Sequence, residues 1–316
     1  TYMLGFTALQ TDGHGTLNLL KLKSIVPKMN EKWLLFSSIF MLLGYASKIG
    51  LAPFHWWKPD SYGEAPGLIG GLLSGGLVSI SALCFFRIYQ VLEGSDVLGY
   101  ISNIMLILGI TSLVFSAIFV VSQKDIKRVL AYSSVEHVGI IAIGLGIGKM
   151  AIFGSLLHVL FNTISKGALF LSAGDIHRMY SSKKIAEVKG LISVSPLMAV
   201  IFMAGIFAAA GSPPFSLFIS EFYIFLYGFK YDYTFITFAT ISVLLFIFIG
   251  FINMGVKVVY GSQEEQSVGL KTYKPTPIMF FSEIFLLSIL LICLFYIPKS
   301  VTDVISDCLV LLGANR

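Results

Sequence analysis

The chain alternates long apolar runs with short polar connections. Apolar stretches of about 20 residues, the length needed to cross ~30 Å of hydrocarbon as a helix, fall at 33–52, 67–91, 97–122, 129–148, 150–173, 192–229, 233–256 and 277–297. The run 192–229 is too long for one straight helix and is interrupted by Gly211-Ser212-Pro213-Pro214, which predicts a single broken span. The run 33–52 ends in a second helix-breaking stretch, Gly50-Leu51-Ala52-Pro53-Phe54-His55. Connections this short predict one compact bundle. The expected fold class is an all-α polytopic membrane protein of about eight transmembrane helices, two of them broken.

An internal repeat accompanies the breaks. At an offset of 161 residues, Gly50-Leu51-Ala52-Pro53-Phe54 aligns with Gly211-Ser212-Pro213-Pro214-Phe215. Breaking a helix frees backbone N–H and C=O groups that lipid cannot satisfy, so a break is buried in protein or lines a wet cavity. Paired breaks at matching positions in two halves point to a transport site near the membrane midplane. The chain divides as 1–91, the end of a first repeat half, 97–260, the second half, 277–297, a last helix, and 298–316, an amphipathic tail. On that tail Val301, Val304, Ile305, Cys308, Leu309 and Leu312 share a face suited to the membrane surface or a partner subunit.

Composition agrees: 56% of residues are hydrophobic and only 12% charged, so few helices have a charged face to show water. The net charge of +5 comes from Lys and Arg concentrated in loops, where they set topology, and is no nucleic-acid signal. The segments 53–66, 122–128, 175–190 and 257–275 hold 11 Lys and Arg against 9 in the alternate set, and are expected on the cytoplasmic side. Four of those nine, Lys21, Lys23, Lys28 and Lys32, lie in the first loop and argue the other way. Cys84, Cys293 and Cys308 have no metal or cluster spacing, so no metal, cofactor or redox centre is expected in this polypeptide. The sequence begins at Thr1 with an apolar fragment, Tyr2 to Leu9, too short to span, as expected of an N-terminally incomplete chain without a signal peptide.

A few ionisable residues interrupt the apolar runs. Lys48 follows an uncharged run of about 15 residues, and a cation at membrane depth costs roughly 3 kcal/mol on insertion scales. Glu136 and His137 sit in the middle of 129–148. His158, Asn162 and Lys166 lie at i, i+4 and i+8, on one helix face over about 12 Å. Glu221 follows the second break by ten residues. Lysine, glutamate and histidine in a dry interior titrate near working pH and respond strongly to one another's charge, the chemistry a proton relay needs. Lys48, Glu136, His137, His158, Lys166 and Glu221 are therefore the expected translocation residues. Pro53, His55, Asp60, Gly211, Pro213 and Pro214 are the expected break and gate positions.

Several of these stretches are also family signatures. Lys48-Ile-Gly-Leu-Ala-Pro-Phe-His-Trp-Trp-Lys-Pro-Asp60 with Glu64-Ala65-Pro66 resembles the K-x-x-x-x-P-x-H-x-W-x-P-D…A-P segment of the antiporter-like subunits of respiratory complex I, Mrp-type sodium/proton antiporters and group 4 membrane-bound hydrogenases. Asp125-Ile-Lys-Arg-Val-Leu-Ala-Tyr-Ser-Ser134, the helix from His158 through Lys166 to Gly174, and Gly211-Ser-Pro-Pro-Phe215 with Glu221 resemble three further family segments in the family's order. Glu136-His137 is nearest the hydrogenase 4 branch. The chain departs from the family in three places. The glutamate that relatives place on an earlier helix as partner of the Lys48 position is absent; Asn162 stands where several have a second histidine; and Ser79, Ile80 and Ser81 stand where complex I relatives often carry lysine.

The resemblance implies a proton-translocating, or Na+/H+-exchanging, subunit in the membrane arm of a redox-driven complex, with no redox catalysis of its own. Its partners would be sister antiporter-like subunits, hydrophilic redox subunits and the lipid bilayer, and not nucleic acid. The expected location is a prokaryotic inner membrane. A subunit of a stand-alone Mrp-type antiporter is the alternative, and a non-transporting scaffold in such an assembly a third.

Overall fold

The structure, a computed structural model, describes residues 16–262 and 277–314, so the Tyr2 to Leu9 fragment and most of the basic 257–275 segment lie outside the described residues. Among the described residues no strand forms; the single isolated bridge joins Asp125 and Lys184. Helix α1 (Leu19–Ile25) is followed by α2 (Glu31–Ile49), the short α3 (Trp57–Glu64), and α4 (Gly67–Leu92), which contains a π-helical turn at Leu73–Leu77. The chain continues with α5 (Val97–Ser122), α6 (Ile126–Ile147), α7 (Ala151–Tyr180), α8 (Pro196–Ala209), α9 (Leu217–Lys230), α10 (Thr234–Tyr260), α11 (Pro277–Phe295) and α12 (Lys299–Leu311).

Every apolar run predicted from the sequence becomes helix. Among the described residues five helices (α4, α5, α6, α7 and α10) are individually long and apolar enough to cross a membrane, and six if the bent α11–α12 pair counts as one span. The run 192–229 is broken as expected, into α8 and α9 of 14 residues each. Helix α6 is the axis of the bundle: 94% of its most apolar stretch is buried, against 28–61% in the other four. Around it large side chains such as Phe235, Leu245, Phe246, Ile249, Phe281 and Phe295 stand exposed, a surface that only lipid solvates well.

Small residues bring the inner helices together. Gly67 on α4 and Gly174 on α7 cross so closely that a Cβ on Gly67 would lie 2.7 Å from the Phe170 carbonyl oxygen and 2.8 Å from the Gly174 Cα. The tail forms α12, bent by 72° from the preceding helix. Ile305 and Leu309 of its apolar face are buried in this chain's own core, so much of the face expected to meet lipid or a partner covers the bundle itself.

Candidate functional site

The two breaks are built alike. Gly50 ends α2 in the left-handed conformation at φ 76°, its amide donating to the Ala46 carbonyl, and Gly211 follows α8 at φ 61°. Both conformations favour glycine. After the first break α3 turns back into the protein and is pinned at its far end. Lys183 donates to the Gly63 carbonyl (3.1 Å) and pairs with Glu64 (2.6 Å), Lys127 donates to the Ala65 carbonyl (3.0 Å), and Arg128 pairs with Asp60 (2.7 Å). Cations at a helix C-terminus complement its dipole, and the Lys183 hydrogen bond and charge hold Glu64 below the usual carboxylate range.

Between the breaks lies a continuous set of buried ionisable side chains. Lys166, His158 and His137 are wholly inaccessible, Glu136 is 3% exposed and Glu221 7%. Lys166 Nζ donates to Ser133 Oγ, and Ser133 also hydrogen-bonds Glu136. Glu136 lies within electrostatic range of both Lys166 and Glu221. His137 Nδ1 and His158 Nε2 are 3.1 Å apart, and His158 Nδ1 lies 2.9 Å from Ser220 Oγ. The Ser220 hydroxyl proton is directed to the Leu217 carbonyl (2.6 Å), so its oxygen accepts from His158 Nδ1–H and leaves His158 Nε2 to accept from His137. Two neutral imidazoles so linked can hand a proton from one ring to the next. Glu136 Oε2, Asn162 Oδ1 and Nδ2, and Ser165 Oγ are buried with no protein partner, and buried polar atoms of this kind are the ones an ordered water satisfies.

Five of the six translocation residues read from the sequence are thus brought together. Lys48 is not: it is exposed in the last turn of α2, where a cation suits the helix C-terminus, while Ala46 and Ile49 take the buried face. Of the break and gate positions, Gly211 is buried and Pro53, Pro213 and Pro214 are exposed. His55 is 7% exposed and packs edge-on against Phe115 and Tyr132, whereas Asp60 is at the surface in its Arg128 pair.

Four buried charged side chains lie outside the residues singled out from the sequence; one is Lys127, 3% exposed, whose contact with α3 is given above. Lys58 is fully buried in α3, Glu283 is fully buried in α11 with neither carboxylate oxygen hydrogen-bonded, and Asp175 is 6% exposed in α7. A charge inside the run 277–297 is the signal that singled out Lys48, so Glu283 was findable. Lys58 was masked by its polar neighbours His55 and Asp60. His137, His158 and Glu221 also place one ligand atom each within 4.8 Å of one another, the group among the described residues that could hold a metal ion. Their separation in sequence, 21 and 63 residues, gave no metal-site spacing to read.

Comparison with known proteins adds to this geometry. The family model described as NADH:quinone oxidoreductase/Mrp antiporter, TM, matches residues 3–263. A hydrogenase-4 component F homolog of Methylacidiphilum infernorum is 34% identical over 71% of this chain and 48% of its own length. A NADH-quinone oxidoreductase subunit of Desulforudis audaxviator is 32% identical over 67% of this chain and 43% of its own. A Na(+)/H(+) antiporter subunit of Alkalihalophilus pseudofirmus is 30% identical over 80% and 52%. The chain therefore spans about half the length of the curated relatives it matches. Among solved structures, a chain of the archaeal membrane-bound sulfane sulfur reductase superposes with a TM-score of 0.87 at 19% identity, covering 99% of this chain and 63% of that one. A chain of the Mrp complex from Dietzia sp. superposes at 0.81 and 18%, covering 99% and 64%; at such identities the likeness shows the fold alone.

Proposed function

Because this chain belongs to the NADH:quinone oxidoreductase/Mrp antiporter transmembrane family, we propose that it translocates protons within the membrane arm of a redox-driven energy-converting complex and carries out no redox chemistry itself. The observation that carries this reading is the buried line Lys166, Glu136, His137, His158 and Glu221, running through the bundle to the second helix break. Ionisable groups at membrane depth are costly, and so many in contact, several with open hydrogen-bonding atoms, suit proton movement better than scaffolding. A proton gained at one member changes the charge felt by the next, which is how a driving force arriving from a neighbouring subunit would be passed on.

Lys48 stands apart from this line, on a face of α2 open to a covering element, and enters the mechanism only through such an element. We place the complex in a prokaryotic inner membrane, beside sister antiporter-like and hydrophilic redox subunits, with the hydrogenase-type branch favoured by the 34% identity to the component F homolog. A stand-alone Na+/H+ antiporter is the second reading, favoured by the match of the Alkalihalophilus antiporter protein to 80% of this chain. The test is Glu221→Gln in the purified, reconstituted complex. Proton translocation should fall at least tenfold while electron transfer by copurifying redox subunits continues; translocation at the parental rate contradicts the reading.

A further inference from the structure

Lys58 has no place in the line described above, yet it is as deeply buried as any member of it. Its amide donates to the His55 carbonyl (2.9 Å), fixing it at the start of α3 directly after the first break. Its stem then lies where Gly50 would carry a side chain: a Cβ there would sit 2.5 Å from Lys58 Cε and 2.6 Å from Cδ. The second break repeats this arrangement with the opposite charge. A Cβ on Gly211 would sit 2.5 Å from Glu221 Oε1 and 2.6 Å from Cδ. At each break a left-handed glycine vacates the space that an ionisable side chain fills, eight residues onward in one half and ten in the other.

The ammonium group is under-partnered for a buried cation. Nζ donates to the Ser134 carbonyl at 3.3 Å, and the Tyr62 ring centroid is 6.0 Å away. Among the described residues no carboxylate stands within ion-pairing distance of it. A lysine kept only for structure would have its charge compensated. The residue whose carbonyl Lys58 meets, Ser134, has its hydroxyl 2.7 Å from that of Ser74 on the π-helical turn of α4. The preceding residue on α6, Ser133, holds Lys166. On its other side Lys58 lies within electrostatic range of His55, whose Nδ1 is buried without a partner.

We propose that Lys58 is a proton-carrying station, the counterpart at the first break of Glu221 at the second, passing protons between His55 and Lys166. In each step one N–H bond of the Lys58 ammonium breaks and an N–H bond forms on the neutral amine of Lys166, which lies within electrostatic range of it. Lys58 regains a proton from the His55 side, and no electron moves. The proposal rests on the translocation reading and adds a residue to it.

The test compares Lys58→Met, Lys58→Arg and Lys166→Met in the intact complex reconstituted into proteoliposomes, with internal acidification normalised to the electron-transfer rate of the same preparation. Lys58→Met should lower translocation at least tenfold with electron transfer retained. Lys58→Arg should not rescue it, because a guanidinium keeps its charge but does not release its proton. Parental translocation in Lys58→Met, or rescue by Lys58→Arg, with Lys166→Met inactive, overturns the role of Lys58 and leaves the wider reading standing. Parental translocation in both Lys58→Met and Lys166→Met overturns the two together.

Discussion

At the residue scale, the two glycines that end the broken helices carry the tightest constraint. Gly211 has a positive φ and stands against the Glu221 carboxylate. Gly211→Ala therefore meets backbone strain, of order 1–3 kcal/mol for a non-glycine residue in a sparsely populated region, and also displaces the Glu221 carboxylate, a member of the proposed proton line. It is expected to lower both the thermal midpoint and the proton-translocation rate of the assembled complex, whereas Ala at Gly76, which has open space around it, should change neither by more than a small amount. Equal effects at the two positions in paired thermal-shift and acidification measurements would sink the argument.

Charge depth is the residue-scale property that sequence conveyed least well. Lys48 stands out along the chain because no charge precedes it for many residues, but it ends on an exposed helix face. Lys58 has polar neighbours on both sides in sequence and ends wholly buried, because the chain folds back at the break. Burial of a single side chain depends on which way a short helix re-enters the bundle, and no local pattern encodes that direction. His158, Asn162 and Lys166 were legible because their spacing alone puts them on one face of a regular helix, and all three are at most 1% exposed.

At the scale of elements, the breaks were legible and the anchoring of the short helix beyond the first of them was not. Glycine and proline dictate where α2 and α8 must end. That Lys127 at the start of α6 and Lys183 in the connection after α7 grip the carbonyl end of α3 is a tertiary fact. The Glu64 carboxylate, held below its usual range by Lys183, contributes to that grip while ionised. The sign is fixed by linkage: a depressed carboxylate stabilises the fold above its unfolded value, near pH 4.3, and the contribution is lost as pH falls through the lower folded value. Amide exchange in Trp57–Glu64, after correction for intrinsic rates, should therefore quicken relative to α6 as pH drops below about 4. Lys183→Ala should produce the same relative quickening at neutral pH. Unchanged protection in Lys183→Ala would show that the α3 anchor lies elsewhere.

At the scale of the whole molecule, apolar runs and short loops were enough to place a single polytopic bundle, because lipid permits few other arrangements of such a sequence. The order of burial was not visible. Helix α6 carries Asp125, Lys127, Arg128 and Glu136 at or near its course and is the least apolar of the five long spans by hydropathy except α7, yet it is the axis. These two least apolar spans contribute Glu136, His137, His158 and Lys166, four of the five members of the line, and are the most buried of the five long spans.

Lys166 stands at the end of that line away from the second break, donating to Ser133 and within electrostatic range of Glu136. The most direct measurement is proton translocation by the reconstituted complex carrying Lys166→Met, read as internal acidification per electron transferred. Lys166→Met should lower that ratio at least tenfold with electron transfer retained. A ratio equal to that of the parent complex would contradict the proposed proton line.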